Sequence, residues 1–135
     1  MPFGQHCMID LYDCDETASL DMNIIFRFLD SLPNYIDMIK IMPPHVVIWN
    51  DKNPLDSGIS AFVMISTSHI SLHSFPHRNG FISADVYSCK PFDTQEVISR
   101  FVDTFKAKKV ELNVVERGFQ FSRDLQKIEE HVILT

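Results

Sequence analysis

The chain has few of the cations that a nucleic-acid or anionic-membrane surface needs. It carries 12 Lys and Arg against 18 Asp and Glu, a net charge of −6. Gripping a phosphate backbone requires a basic face, so neither nucleic acid nor an anionic membrane is expected as a partner. Cysteine is scarce: Cys7, Cys14 and Cys89 are an odd number without CxxC spacing. That excludes a disulfide framework and fits a reducing compartment. No apolar run approaches the length of a membrane span. Residues Met1 to His6 lack the basic start and apolar run of a secretory signal, and a cytoplasmic location is the expectation. Internal repeats, low-complexity segments and a GxSxG elbow are all missing. His69, His73 and His77 are regularly spaced, but no carboxylate stands between them, so no metal is expected.

What is present suits one globular domain over residues 1–135: 45% hydrophobic, 22% charged, with 11 Phe for an aromatic-rich core. Residues 5–14 read as a first strand and 13–19 as a polar connection. Leu20, Ile24, Phe28 and Leu32 recur every four residues, with Ile25 and Leu29 beside them, which predicts an amphipathic helix that Pro33 ends or kinks. His45–Trp49 reads as a second strand, Asn50 to Gly58 as a turn-rich loop. Three strands follow over 59–66, 68–75 and 80–88. Asp93-Thr94-Gln95-Glu96 reads as a capping box opening a helix with the stripe Val97, Ile98, Phe101, Val102 and Phe105. Lys106, Lys108 and Lys109 suit the negative pole of that helix. Val110–Val115 is a last strand, and Arg123 to His131 could form a short helix. The order β-α-β-β-β-β-α-β predicts an α+β two-layer sandwich: a mostly antiparallel sheet covered on one face by two helices. The other face is left to solvent or to a second copy.

The segment richest in reactive side chains is Ser66-Thr67-Ser68-His69-Ile70-Ser71-Leu72-His73. Alternation puts His69, Ser71 and His73 on one strand face, with Ile70, Leu72 and Phe75 read as facing the other way. His69 and His73 then stand about 13 Å apart at ~3.3 Å per residue, too far to serve one atom. Spacing alone leaves two readings open, a solvated polar face or a reactive site.

Several motifs, in order, resemble the prokaryotic S-adenosylmethionine decarboxylases. They are Gly4-Gln-His, Leu11-Tyr-Asp-Cys-Asp15, the run from Gly58 to Pro76, Ala84-Asp85-Val86-Tyr87-Ser88-Cys89, Lys106-Ala-Lys-Lys-Val110 and Glu116-Arg117-Gly118. The resemblance implies a self-processing proenzyme. Ser68 would attack the carbonyl of Thr67, the Thr67–Ser68 bond would break through an ester, and Ser68 would become a pyruvoyl cofactor, leaving fragments 1–67 and 68–135. Ser60 and His73 match the residues that assist processing. In the mature enzyme the pyruvoyl carbonyl would form a Schiff base with the substrate amine and accept the electrons left by departing CO2. Cys89 matches the proton donor to the α-carbon, and Phe75 the ring that stacks on the substrate's adenine; Trp49 is the available second ring. The product would supply aminopropyl groups for polyamine synthesis, and a homodimer with its site at or near the interface is implied.

Three positions depart from the family pattern: Thr67 where a glutamate is usual, Ala61 where a glycine is usual, and the longer turn Pro76-His77-Arg78-Asn79 in place of Pro-Glu. The turn motivates an alternative substrate, arginine or ornithine. Thr67 motivates a third reading, an uncleaved, non-catalytic paralogue acting as a binding or regulatory subunit.

Overall fold

The structure is a computed structural model and describes residues 2–120. Six antiparallel strands form one sheet in the order β2-β3-β4-β5-β1-β6. The strands are β1 (Gly4–Tyr12), β2 (His45–Trp49), β3 (Gly58–Ile65), β4 (Ser68–Phe75), β5 (Phe81–Ser88) and β6 (Lys109–Arg117). Helices α1 (Glu16–Leu20), α2 (Met22–Tyr35) and α3 (Thr94–Phe105) cover one face. The two-layer α+β arrangement is thus as expected, with three helices in place of two. No helix among the described residues is long and apolar enough to cross a membrane.

Short side chains at the chain's turns set these boundaries. Asp15 caps α1 by accepting from the Ala18 N–H, turning part of the expected polar connection into a helix and leaving Leu20 at its end, 44% exposed. Asp21 closes α1 and opens α2 by accepting from Asn23 and Ile24 N–H. Helix α2 runs through Pro33 to Tyr35. Pro33 has no N–H to give the Leu29 carbonyl, and the helix ends two residues beyond it, with the Pro33 carbonyl accepting from Ile36 and Met38 N–H. Asp93 caps α3, accepting from Gln95 and Glu96 N–H. Only half of the capping box forms, because the Glu96 carboxylate pairs with Arg100 Nε at 3.0 Å. Lys106 ends α3 in the left-handed conformation, φ 57°. The expected helix over 123–131 lies outside the described residues.

Ile25, Phe28, Leu29 and Leu32 of α2 and Val97, Phe101 and Phe105 of α3 press onto the inner sheet face, meeting Cys7, Ile9, Leu11, Val63, Ile65, Ile70, Leu72, Ile82 and Val86. Phe28 sits edge-on between Phe101 and Phe105, with centroids 4.6 and 5.1 Å away, a geometry that adds to area burial. No described helix covers the outer face. The strand registers place on it His45, Val47 and Trp49, then Ser60, Phe62 and Met64, then His69, Ser71, His73 and Phe75. Phe81, Asp85 and Tyr87, with His6, Met8 and Tyr12, continue it across the sheet. Phe75 thus shares a face with His73, contrary to the sequence reading; residues 73 and 75 must agree in a strand of period 2, and Ser74 takes the buried side.

Candidate active site

Strands β3 and β4 are joined by Ser66 and Thr67 alone, and this short connection fixes the ladder: Ile65 opposes Ser68 and Ser60 opposes His73. Thr67 adopts φ +65°, a left-handed conformation that a β-branched residue rarely takes. Its hydroxyl donates to the Ser66 carbonyl. Ser68, 7% exposed, begins β4 and points inward.

Cys89 follows the end of β5 and meets the Thr67–Ser68 peptide at two points. Its backbone N–H donates to Ser68 Oγ at 2.9 Å. Its thiol donates to the Thr67 carbonyl oxygen, also at 2.9 Å. Sequence spacing could not bring residues 68 and 89 together; the β4–β5 ladder does, pairing His69 with Tyr87. The Tyr87 hydroxyl lies 3.6 Å from Cys89 Sγ. Around its ring stand His6, edge-on with centroids 6.1 Å apart, His69 at 5.6 Å, and the Arg117 guanidinium 4.5 Å above the ring centroid. His6 Nε2 bonds Asp85 Oδ1 at 2.9 Å. Burial pushes the His69 imidazole below its ordinary pKa; His6 and Arg117 push the same way and Asp85 opposes them.

The remaining sequence candidates form a second group. Ser60 Oγ and His73 Nδ1 are 2.8 Å apart on the outer face. His73 is five residues along β4 from Ser68 and on the opposite side of the strand, about 16 Å away at ~3.3 Å per residue. Phe75, farther still, stacks on Phe81 with centroids 5.8 Å apart. Trp49 pairs across from Gly58 and is 58% exposed. Arg78 is tied to Asp56 by Nε at 2.9 Å, so the cation added by the longer turn is already balanced. One chain therefore joins Thr67, Ser68 and Cys89, and separately Ser60 and His73, but not the two groups to each other. Cys7 and Cys14 are buried in the core, which pushes their thiols up to about 11 and about 12; they are structural.

Sequence reasoning missed Tyr87, Arg117 and the His6–Asp85 pair. The i, i+2 spacing of Tyr87 and Cys89 on a strand was the available signal. The Glu116-Arg117-Gly118 motif gave no sign that Arg117 lies over an aromatic ring.

This arrangement coincides with a known sequence pattern. The profile described as S-adenosylmethionine decarboxylase matches residues 5–118. The chain belongs to that family. Among its relatives is an S-adenosylmethionine decarboxylase proenzyme of Clostridium botulinum (strain Langeland), 29% identical over 116 residues, which are 85% of this chain and 94% of the relative. The S-adenosylmethionine decarboxylase proenzyme 2 of Bacillus cereus is 27% identical over 117 residues, 86% and 89% of the two chains. A crystal structure of the adenosylmethionine decarboxylase from Aquifex aeolicus superposes with a TM-score of 0.73 at 24% identity, covering 98% of each chain; it has the same fold.

These relatives are named proenzymes, and Ser68 is the residue that the sequence resemblance marks for processing. Its oxygen is buried and held by a backbone donor, and the carbonyl it would attack is polarised by a thiol. Among the described residues no cluster of three His, Cys, Asp or Glu is placed to hold a metal ion.

Proposed function

We propose that this member of the S-adenosylmethionine decarboxylase family cleaves itself between Thr67 and Ser68 and then decarboxylates S-adenosylmethionine, supplying the aminopropyl donor of polyamine synthesis. The observation that carries this reading is Cys89 bridging both halves of that peptide. Attack of Ser68 Oγ on the Thr67 carbonyl carbon breaks the C–N bond and leaves an ester, freeing the Ser68 amine. Negative charge gathers on the Thr67 oxygen as the tetrahedral centre forms, where the Cys89 thiol already donates. Loss of the Ser68 α-proton then expels the Thr67 carboxylate, and water replaces the amino nitrogen, released as ammonia. The left-handed Thr67 backbone supports the same step: strain of about 1–2 kcal/mol in the precursor is relieved when the chain opens.

The pyruvoyl group so formed would act as electron sink for the departing carboxylate of the substrate. Cys89 stands next to residue 68 and would hold the proton that replaces CO2. Phe75 and Trp49 offer exposed ring faces to an adenine, and aromatic faces suit a sulfonium cation.

Among the described residues of one chain, His73 is out of reach of Ser68 as its base. A second copy would supply it. The outer sheet face carries Val47, Trp49, Phe62, Met64 and Val115, each more than two-fifths exposed, an apolar surface suited to self-association. A homodimer built on it would set Ser60 and His73 of one copy beside the exposed Ser66-Thr67 turn of the other, from the outer side of the sheet.

Intact-mass measurement during incubation, followed by decarboxylation assays on S-adenosylmethionine, arginine and ornithine, tests the reading. Fragments 1–67 and 68–135, the second with a ketoacid terminus, and activity on the sulfonium are expected. An uncut 15.6 kDa chain points to the non-catalytic paralogue. Activity on an amino acid alone transfers the reaction to that substrate.

A further inference from the structure

A thiol has one proton, and the Cys89 proton is committed to the Thr67 carbonyl. In the 3.6 Å contact with Tyr87 the sulfur is therefore the acceptor and the phenol the donor. Tyr87 is half-buried and stands on the outer face, whereas Cys89 is 5% exposed. The phenol thus connects a secluded sulfur to the wetter side of the sheet. Its ring is fixed from three strands: His6 of β1, His69 of β4 and Arg117 of β6. Among the described residues, those three charged or titratable groups face it, with Asp85 holding His6.

We propose that Tyr87 is the positioning residue that returns a proton to Cys89 after each turnover, with Arg117 above its ring favouring the transient phenolate. The step rests on the decarboxylase reading. Cys89 gives its proton to the substrate carbon and becomes a thiolate. Tyr87 Oη passes its proton to the sulfur, restoring the thiol, and the phenolate takes a proton from water. The net consumption is one proton per CO2 released, as decarboxylation requires.

The test begins with the full chain carrying Ser68→Ala, which cannot form a cofactor, and cysteine labelled with 13C at Cβ. Cys89 is followed through its pH titration by NMR. A donor to the thiolate stabilises that form, so Tyr87→Phe should raise the Cys89 midpoint by about one pH unit, a tenfold loss of thiolate at fixed pH. Arg117→Met should move it in the same direction by less. In the cleaved enzyme Tyr87→Phe should lower kcat about tenfold with KM unchanged. An unmoved midpoint, or a kcat within about twofold of the parent, overturns the proposal. Should the cleaved parent decarboxylate nothing while the midpoint still moves, the decarboxylase reading falls and the Tyr87–Cys89 coupling stands.

Discussion

Replacing Cys89 by alanine removes the thiol that donates at the bond proposed to break. The backbone N–H of residue 89 survives, so Ser68 Oγ keeps its donor. What disappears at that bond is the 2.9 Å thiol contact to the Thr67 oxygen, and with it, away from the bond, the 3.6 Å contact of the sulfur with Tyr87 Oη. Removing one donor from an oxyanion site costs roughly 10²–10³ in rate. A thiol is a weaker donor than an amide or hydroxyl, so the expected slowing of self-cleavage is about 10–10²-fold, or ~1.4–2.7 kcal/mol of barrier. Cys89→Ser restores a better donor on a shorter arm and should fall between parent and alanine variant. The assay is a time course of intact mass on freshly translated protein, with a thermal melt beside it because Cys89 is buried. Cleavage of Cys89→Ala at the parental rate, with the fold intact, would show that the thiol does not polarise the carbonyl.

Thr67→Gly should stabilise the uncleavable Ser68→Ala chain by about 1 kcal/mol in denaturant unfolding, because glycine adopts φ +65° without strain, and should slow cleavage when Ser68 is present. Chains with His73→Ala alone should stay uncut. Mixing them with Ser68→Ala chains should restore cleavage if a second copy supplies the imidazole, and should not if His73 acts within its own chain. The depressed pKa of His69 fixes the sign of one pH effect: below the ordinary value of 6.5 the unfolded chain binds a proton that the native ring resists. Stability should therefore decline as the pH falls through 6.5 and level off below the native value, and His69→Gln should flatten that part of the curve in thermal melts.

Much of the fold could be read from period alone. The stripe Val97, Phe101, Phe105 and the alternation in β4 and β5 survive contact with the structure because each buries one face. Helix α1 escaped notice because five residues are too few to show a period; only the cap at Asp15 marks it. Pro33 marked the end of its helix two residues early: the chain runs on to Tyr35 before the helix closes. At the site, Ser68 and Cys89 were legible through the resemblance to a known family, but their contact depends on which strands are neighbours, and no local pattern encodes that. The Ser60–His73 pair is different: once the turn is placed at Ser66-Thr67, the ladder follows by counting. Tyr87 stayed hidden because a tyrosine in a strand is ordinary until its hydroxyl meets sulfur.

The strand order has a consequence for a chain that cuts itself. Strand β1 lies ahead of the Thr67–Ser68 bond, yet both its neighbours, β5 and β6, lie beyond it. Strands β3 and β4 flank the cut and remain laddered to one another. The two pieces would be woven through a common sheet, each lacking the other's hydrogen bonds and half of a core. Cutting the backbone would free a terminus without freeing a fragment, and separating the pieces would require unravelling the whole domain.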